Sequence, residues 1–342
     1  MNVESILKKF PIGNPLGVKP LGSGLINTTY KVITERDIFV LQKLHPVFDE
    51  RVVEDAWVIS EHVLRKGVPT PRFIRTKDGE LCYKEEGKFW RMMTYIEGRS
   101  FERVPEAKYA FQAGKLVGEL HRALRDLDYK FKFIFEGFHD TPRILNELVL
   151  IAEGEKDKAK HEGVRENLDF LKETLPPLFL SSSLPQRIIH GDLKISNIMF
   201  SPKGKAVGII DLDTLMHSTL PVELGDAFRS WCTVEEGGSE ACFDTAIFEA
   251  GMRGYHSSGF KIQPEEKEYI VQGIKLITLE LAARFLKDFF EDAYFNWDAK
   301  RYSSRAEHNL ARTKRQIAIY KDICGKEDEI ENIVKKTFAC RG

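Results

Sequence analysis

Up to Tyr95 the chain alternates apolar and polar residues with the period of two that marks half-buried strands. The alternation is strongest in Thr28–Ile33, Ile38–Leu44 and Phe89–Tyr95, which are rich in β-branched and aromatic side chains. Lys77-Asp78-Gly79-Glu80 has the composition of a turn between strands. A helical pattern interrupts them over Arg51–Lys66, and Gly67, Pro69 and Pro71 then stop it.

After Glu97-Gly98 the period becomes that of helices. Ala113, Leu116, Val117, Leu120 and Leu124 fall on one face and predict an amphipathic helix over Pro105–Leu124. The charged stretch Ile151–Glu166 reads as the solvated surface of further helices. A hairpin then appears, built from Arg187–Ile189, Asn197–Phe200, a Ser201-Pro202-Lys203-Gly204 turn and Ala206–Asp211. From about Phe243 the pattern is mostly helical. Pro264–Glu291, apolar around much of its circumference, predicts one long buried helix. The expected class is α+β, with a strand-rich lobe over 1–97 and a larger, mainly helical lobe over 98–342. A length of 342 residues is enough for a core in each.

Composition narrows the function classes. Apolar residues make up 42% and charged ones 30%, as in ordinary globular proteins. With 51 basic and 52 acidic residues the net charge is -1, so no whole-molecule field for nucleic acid or acidic membranes is expected. Met1-Asn2-Val3-Glu4 does not open a secretory signal, and no stretch reaches the ~20 apolar residues of a membrane span. The five cysteines are scattered without a CxxC pair, which suits reduced thiols. A soluble, cytoplasmic protein is expected, with small molecules as partners.

The candidate chemistry is concentrated in His190-Gly191-Asp192-Leu193-Lys194-Ile195-Ser196-Asn197. His-x-Asp-x-x-x-x-Asn is the spacing of a kinase catalytic loop. An aspartate there accepts a substrate hydroxyl proton, and an asparagine five residues later coordinates Mg²⁺. The strand that follows delivers Asp211 as the second metal ligand, and two oxygen ligands plus nucleotide phosphates suit Mg²⁺. Lys194 is expected at the transferring phosphoryl group, and His190 to be structural. Asp213, two residues beyond Asp211, is expected at the metal site or the substrate, with loop capping as the alternative. Asp226, in Leu224-Gly225-Asp226, reads as a helix N-cap.

On the nucleotide side, Leu21-Gly22-Ser23-Gly24-Leu25-Ile26-Asn27 is a glycine-containing turn that could admit phosphates, with Gly22, Gly24 and Asn27 as candidates. No Walker A pattern is present. The next strand should carry a phosphate-binding lysine, but Phe39-Val40-Leu41-Gln42-Lys43 aligns Gln42 there, with Lys43 on the opposite face. Either Lys43 serves through a bulge or the phosphates are held with less charge. Glu54 and Glu61 could orient such a lysine or simply face solvent. Thr94-Tyr95-Ile96 is where adenine would meet backbone groups, through Thr94 and Ile96.

These pieces resemble the aminoglycoside phosphotransferase and choline kinase superfamily, whose fold is protein-kinase-like. The resemblance rests on Ile26–Tyr30, Gly118-Glu119-Leu120-His121, His190–Asn197, Ile209–Asp213 and Gly225-Asp226. Within the superfamily it is nearest the N-acetylhexosamine 1-kinase group. That closer likeness rests on Gly24–Tyr30, Leu41-Gln42-Lys43, Phe138–Pro142, Ile209–Asp213 and Glu307–Thr313. It implies ATP and Mg²⁺ as cofactors and transfer to the anomeric hydroxyl of N-acetylglucosamine or N-acetylgalactosamine. Asp192 would be the base, and Asn197 and Asp211 the metal ligands. By the same resemblance Arg284 and Tyr294 would face the sugar.

Arg284 lies on the apolar stripe of its helix, where an unpaired guanidinium is costly, and Asp288 four residues on is the obvious partner. His139, in Phe138-His139-Asp140, is a further substrate candidate or a helix-capping residue; His308 and Arg312 could do likewise. Two alternatives stand beside the sugar kinase. One is a kinase of another small alcohol or amine, such as choline, homoserine or an aminoglycoside. The other is a non-catalytic nucleotide-binding regulator, against which intact Asp192, Asn197 and Asp211 argue.

Overall fold

The computed structural model describes residues 3–22, 27–157, 160, 162–233 and 241–339. The chain divides into two compact units, one made of residues 1–99, 123–134 and 198–215 and the other of 100–122, 135–197 and 216–342. The change of pattern after Glu97-Gly98 lies beside the first crossing point. Two later segments return to the smaller unit, and sequence pattern alone does not reveal them.

The smaller unit is built on an antiparallel sheet. Helix α1 (Val3–Leu7) precedes β1 (Pro15–Pro20), β2 (Thr28–Thr34) and β3 (Ile38–Lys43). After helix α2 (Glu50–Arg65) come β4 (Phe73–Ile74), β5 (Tyr83–Glu85) and β6 (Lys88–Thr94). The sheet order is β1-β2-β3-β6-β4, with β5 also pairing β6. In β3 the alternation buries Phe39 and Leu41, which pack with Ile6, Phe10, Val32 and Trp90. The register sets Gln42 directly opposite Arg91. Strand β1, unrecognised in the sequence, carries Pro15 and Pro20 and sits at the sheet edge, the position that tolerates a missing N–H.

Helix α2 starts where Asp49 accepts the Arg51 amide, and buries Val52, Val53, Ala56, Ile59 and Val63. Gly67, at φ +83°, follows its end as expected of a helix stop.

The larger unit is mainly helical. It contains α3 (Ala107–Leu124), α4 (Thr141–Gly154), α5 (Arg165–Thr174), β7 (Gln186–Ile189), β10 (Met216–Thr219), α6 (Leu220–Trp231), α7 (Thr245–Ser257), α8 (Pro264–Glu268), α9 (Ile270–Glu291), α10 (Arg305–Gly325) and α11 (Glu327–Ala339). The expected hairpin forms around the Ser201–Gly204 turn, but Arg187–Ile189 is not part of it. Strands β8 (Ile198–Phe200) and β9 (Ala206–Ile209) pair in the smaller unit, whereas β7 pairs with β10 in the larger. The predicted helix Pro264–Glu291 is broken at Tyr269 into α8 and α9. Helix α9 is central and packs against α4, α6 and α10, which is why it is apolar on most sides.

Helices α3 and α7 approach closely at glycines. A Cβ on Gly254 would lie 1.9 Å from the Phe111 carbonyl oxygen, and one on Gly114 2.0 Å from that of Gly251. In an exposed helix interior Gly→Ala stabilises by about 1 kcal/mol. Here the sign is expected to reverse: Gly254→Ala forces backbone apart and should cost about 1–3 kcal/mol, read as a lower urea midpoint at unchanged slope. Among the described residues no helix is long and apolar enough to cross a membrane.

Candidate active site

The loop His190–Asn197 leaves β7 with Gly191 at φ +80° and closes in the 3₁₀ turn Ile195–Asn197. It is largely buried, so its backbone polar groups need partners. Helix α6 supplies them from one side. The Glu223 carboxylate accepts the amides of His190 (2.8 Å) and Gly191 (2.9 Å). Asp226 Oδ2 accepts the Leu193 amide (2.9 Å), and the Trp231 indole N–H donates to the Leu193 carbonyl (2.7 Å). Asp226, expected from sequence to be a helix N-cap, instead lies inside α6, and its task is to hold the loop. Glu223 is in turn 3.1 Å from His121, whose Nδ1 meets the Tyr255 hydroxyl at 2.7 Å. Burial favours the neutral acid at Glu223, but the His121 contact outweighs it and holds its pKa below the ordinary value.

Within the loop the Asp192 Oδ2 atom accepts the Lys194 ammonium (2.7 Å) and the Asn197 amide (3.2 Å). Burial alone would raise the Asp192 pKa; the charges of Lys194, His190 and Arg229 more than offset it, so the carboxylate is held below its ordinary value. It is ionised at neutral pH and can take a proton. Lys194, expected at the transferring phosphoryl group, meets Asp192 here. The Asn197 Nδ2 atom also donates to the Asp192 carbonyl (2.8 Å), which leaves Oδ1 as the asparagine's donor atom for a cation. His190 is fully buried, and its Nδ1 accepts the Asp192 amide at 3.3 Å, the structural role expected.

In the smaller unit β9 leads to Asp211, which sits at φ 67°, ψ 62° at the head of a short turn, Leu212–Thr214. A left-handed aspartate costs free energy and persists where surroundings impose it. The surroundings here act through Asp213. Its carboxylate accepts Arg91 at 2.5 and 2.9 Å and Asn27 Nδ2 at 2.7 Å, and is 4% exposed. Asp213, expected at the substrate or metal, is instead bound within the protein. Asn27, a nucleotide candidate, is likewise committed, since its Oδ1 also accepts the His45 amide (2.9 Å).

Gln42 is turned to Arg91, its Oε1 accepting Nη2 at 2.7 Å and Nε at 2.9 Å. The buried cation of this sheet is therefore an arginine on β6, not a lysine on β3. Lys43 lies 6.0 Å from the Trp90 ring, and Glu54 pairs with Lys132. Arg91 was missed, although an arginine inside Phe89-Trp90-Arg91-Met92-Met93 was a legible signal: a charge there must be paired.

Gly22 is at φ +72°, as a tight turn requires, while Gly24 and Leu25 lie outside the described residues. Thr94 ends β6, its Oγ1 accepting the Arg72 amide (2.9 Å). Ile96 packs on Gly208, in the strand that leads to Asp211. Among the described residues no cluster of three or more His, Cys, Asp or Glu could hold a metal. By donor type, an asparagine oxygen such as Asn197 Oδ1 and a carboxylate such as that of Asp211 each suit Mg²⁺, which takes few protein ligands and keeps water.

The remaining candidates surround α9 in the larger unit. Asp288, the expected partner of Arg284, instead accepts the amides of Ala293, Tyr294 and Phe295 and the side chain of Asn309. Arg284 is left half-buried among rings, 5.2 Å from Phe138, 5.7 Å from Phe295 and 5.8 Å from Tyr294. Among the described residues no carboxylate pairs with it. Tyr294 is 47% exposed. His139 has both ring nitrogens engaged, by Glu280 and by the Gly191 carbonyl, so it supports the loop rather than waiting for substrate. His308 stacks on Tyr302 and accepts the Asp298 amide, and Arg312 donates to the Asn296 carbonyl.

A strand-rich unit and a larger helical one carrying a His-x-Asp-x-x-x-x-Asn loop define a phosphotransferase of protein-kinase-like fold. The chain belongs to the phosphotransferase enzyme family (APH), whose model matches residues 17–258. It is 23% identical over 255 residues to a homoserine kinase of Agrobacterium fabrum, covering 75% of each chain. A homoserine kinase of Rhizobium johnstonii is 25% identical over 256 residues, covering 75% of this chain and 76% of that one. Among solved structures, a microcompartment-associated aminopropanol kinase matches with a TM-score of 0.67 at 15% identity, covering 95% and 97% of the two chains. An amicoumacin kinase solved with AMP-PNP and Ca²⁺ matches at 0.65 and 16% identity, covering 95% and 92%. These relatives bear the names of amino-alcohol and antibiotic kinases, and none of the four supports the expected sugar specificity.

Proposed function

We propose that this chain transfers the γ-phosphoryl group of ATP to the hydroxyl of a small amino alcohol that carries a carboxylate, homoserine being the first candidate. The observation that carries the reading is Arg284, a half-buried guanidinium with an aromatic collar and no carboxylate partner among the described residues. A cationic acceptor such as choline or an aminoglycoside would be repelled there. A carboxylate would complete the fork of donors. Arg284 is also tied to the catalytic loop: Phe138 packs on it, and the next residue, His139, bonds the carbonyl of Gly191 beside Asp192. The names of the sequence relatives agree with this chemistry.

In this reading Asp192 accepts the acceptor's hydroxyl proton as its oxygen bonds the γ-phosphorus and the bond to ADP breaks. Lys194, released from Asp192, offsets charge on the transferring group. Asn197 and Asp211 would hold Mg²⁺, which neutralises phosphate charge when bound. The Gly22 turn and the Thr94–Ile96 segment would meet the nucleotide. The second reading, an N-acetylhexosamine 1-kinase, rests on the Arg284–Tyr294 pair, whose donors and ring would also suit a neutral sugar.

A panel of homoserine, homoserinol, choline and both N-acetylhexosamines with ATP and Mg²⁺ separates these readings. Turnover of homoserine is expected; turnover confined to a sugar would replace the first reading with the second. Arg284→Met should lower kcat/KM for homoserine about a hundredfold, roughly 2.7 kcal/mol, while leaving homoserinol, which lacks the carboxylate, almost unchanged. An equal loss on both would show that Arg284 does not read the carboxylate.

A further inference from the structure

His139 occupies an unusual position. Its backbone is left-handed (φ +55°), two residues after Gly137 (φ +76°) and immediately before Asp140, which caps α4. Its side chain is 3% exposed. Nδ1 lies 2.9 Å from Glu280 Oε1, and Nε2 lies 2.8 Å from the Gly191 carbonyl oxygen. A carbonyl oxygen can only accept. The Glu280 carboxylate also accepts, and its second oxygen already takes the Thr141 hydroxyl at 2.5 Å. A neutral imidazole has one N–H and would leave one of these contacts without a proton. The ring therefore needs both N–H groups, which makes it an imidazolium.

The charges around it agree. From α9 come Glu280 and, acting on Glu280, Arg284; from α6 come Asp226 and its partner Arg229. The catalytic loop contributes the Gly191 carbonyl and, acting through Asp226, the Asp192 carboxylate. Burial alone would push the imidazole down. Glu280, by charge and hydrogen bond, then Asp226 and Gly191 reverse this and raise it to about 9.

We propose that His139 is a positioning residue: as an imidazolium bridging Glu280 to the Gly191 carbonyl, it fixes the backbone from which Asp192 projects, and deprotonation releases that backbone. The catalytic consequence rests on Asp192 acting as the base; the protonation itself does not. Helix α6 holds the amide side of residues 190–193 through Glu223 and Asp226, and His139 holds the Gly191 carbonyl from another direction. The peptide before Asp192 is held at its carbonyl by His139 and at its N–H by His190 Nδ1, which accepts the Asp192 amide, and a small displacement of a catalytic group can cost orders of magnitude in rate.

The sign of the pH effect follows. The active form is protonated, so kcat should be level near neutrality and fall as pH rises through about 9. The test pairs ring ¹⁵N chemical shifts of His139 in the full chain with kcat against pH for wild type, Glu280→Gln and His139→Gln. The His139 resonance should titrate above pH 8 in the wild type and at least one unit lower in Glu280→Gln. The alkaline limb of kcat should move down with it. His139→Gln keeps one donor and should lower kcat about tenfold, lose that limb and change the KM for ATP less than twofold. A wild-type His139 titrating near 6.5, or an alkaline limb unmoved in Glu280→Gln, would overturn the proposal. The resonance reports without turnover, so failure of the kinase reading would leave this titration standing and be recognised separately.

Discussion

Asparagine in place of Asp192 is expected to lower kcat about a thousandfold on whichever acceptor is turned over, roughly 4 kcal/mol of transition-state stabilisation, with ATP affinity largely kept. The change removes the group that accepts the hydroxyl proton and keeps its size. It also removes the partner of the Lys194 ammonium, whose side chain is 41% exposed and can turn to solvent at small cost. The loop itself should persist, because its backbone is bonded to Glu223, Asp226, Trp231 and His139, not to the Asp192 side chain. An unchanged thermal midpoint together with the loss of kcat assigns the effect to chemistry. Asp192→Asn turning over within tenfold of wild type would remove Asp192 from the role of base. Lys194→Ala provides the contrast: it frees Asp192 from its nearest cation, so the carboxylate pKa should rise, and the acid limb of kcat should move up. Its loss of kcat should be the smaller of the two, because the base remains.

What the sequence disclosed follows the range of the interactions involved. The loop is a contiguous run whose spacing states its chemistry, and β2, β3 and β6 are half-buried strands whose alternation survives in the sequence. Strand β1 was obscured by Pro15, Gly17 and Pro20, and β10 by the polar residues of Met216-His217-Ser218-Thr219. The return of 198–215 to the smaller unit is a matter of tertiary packing, which local pattern does not encode.

The supports of the site were harder to read for the same reason. Glu223, Glu280 and Arg91 interrupt apolar runs, so burial with a partner could be inferred for each, but the partners lie 33, 141 and 122 positions away. Sequence alone offers Asp226 and Asp288 only local roles, a cap and an i+4 partner, because distant neighbours are not visible in it. Asp288 does cap, but it caps the loop after α9 through three amides rather than pairing with Arg284.

Arg91→Met is expected to be the most destabilising of the substitutions considered, at about 3–5 kcal/mol. The Arg91 and Asp213 side chains are 2% and 3% exposed, so the change strands a buried carboxylate with the Asn27 side chain as its remaining donor among the described residues, and leaves Gln42 Oε1 without its two contacts. Urea unfolding should show the loss, with an early transition if the smaller unit unfolds first. Removing both charges tests whether the pair or the hole is responsible. Replacing both partners of a buried pair with neutral groups is often far milder than breaking it, so Arg91→Met with Asp213→Asn should recover at least 1 kcal/mol relative to additivity. Additive losses would mean that Arg91 matters by packing on Phe73, 5.8 Å away, and not by charge. Arg91→Lys separates stability from function: one ammonium cannot span both Asp213 oxygens and Gln42 as the fork does. The chain should fold, but the turn that follows the left-handed Asp211 would lose part of its anchor, and the Mg²⁺ concentration needed for half-maximal rate should rise severalfold while the folded population at 25 °C stays near complete.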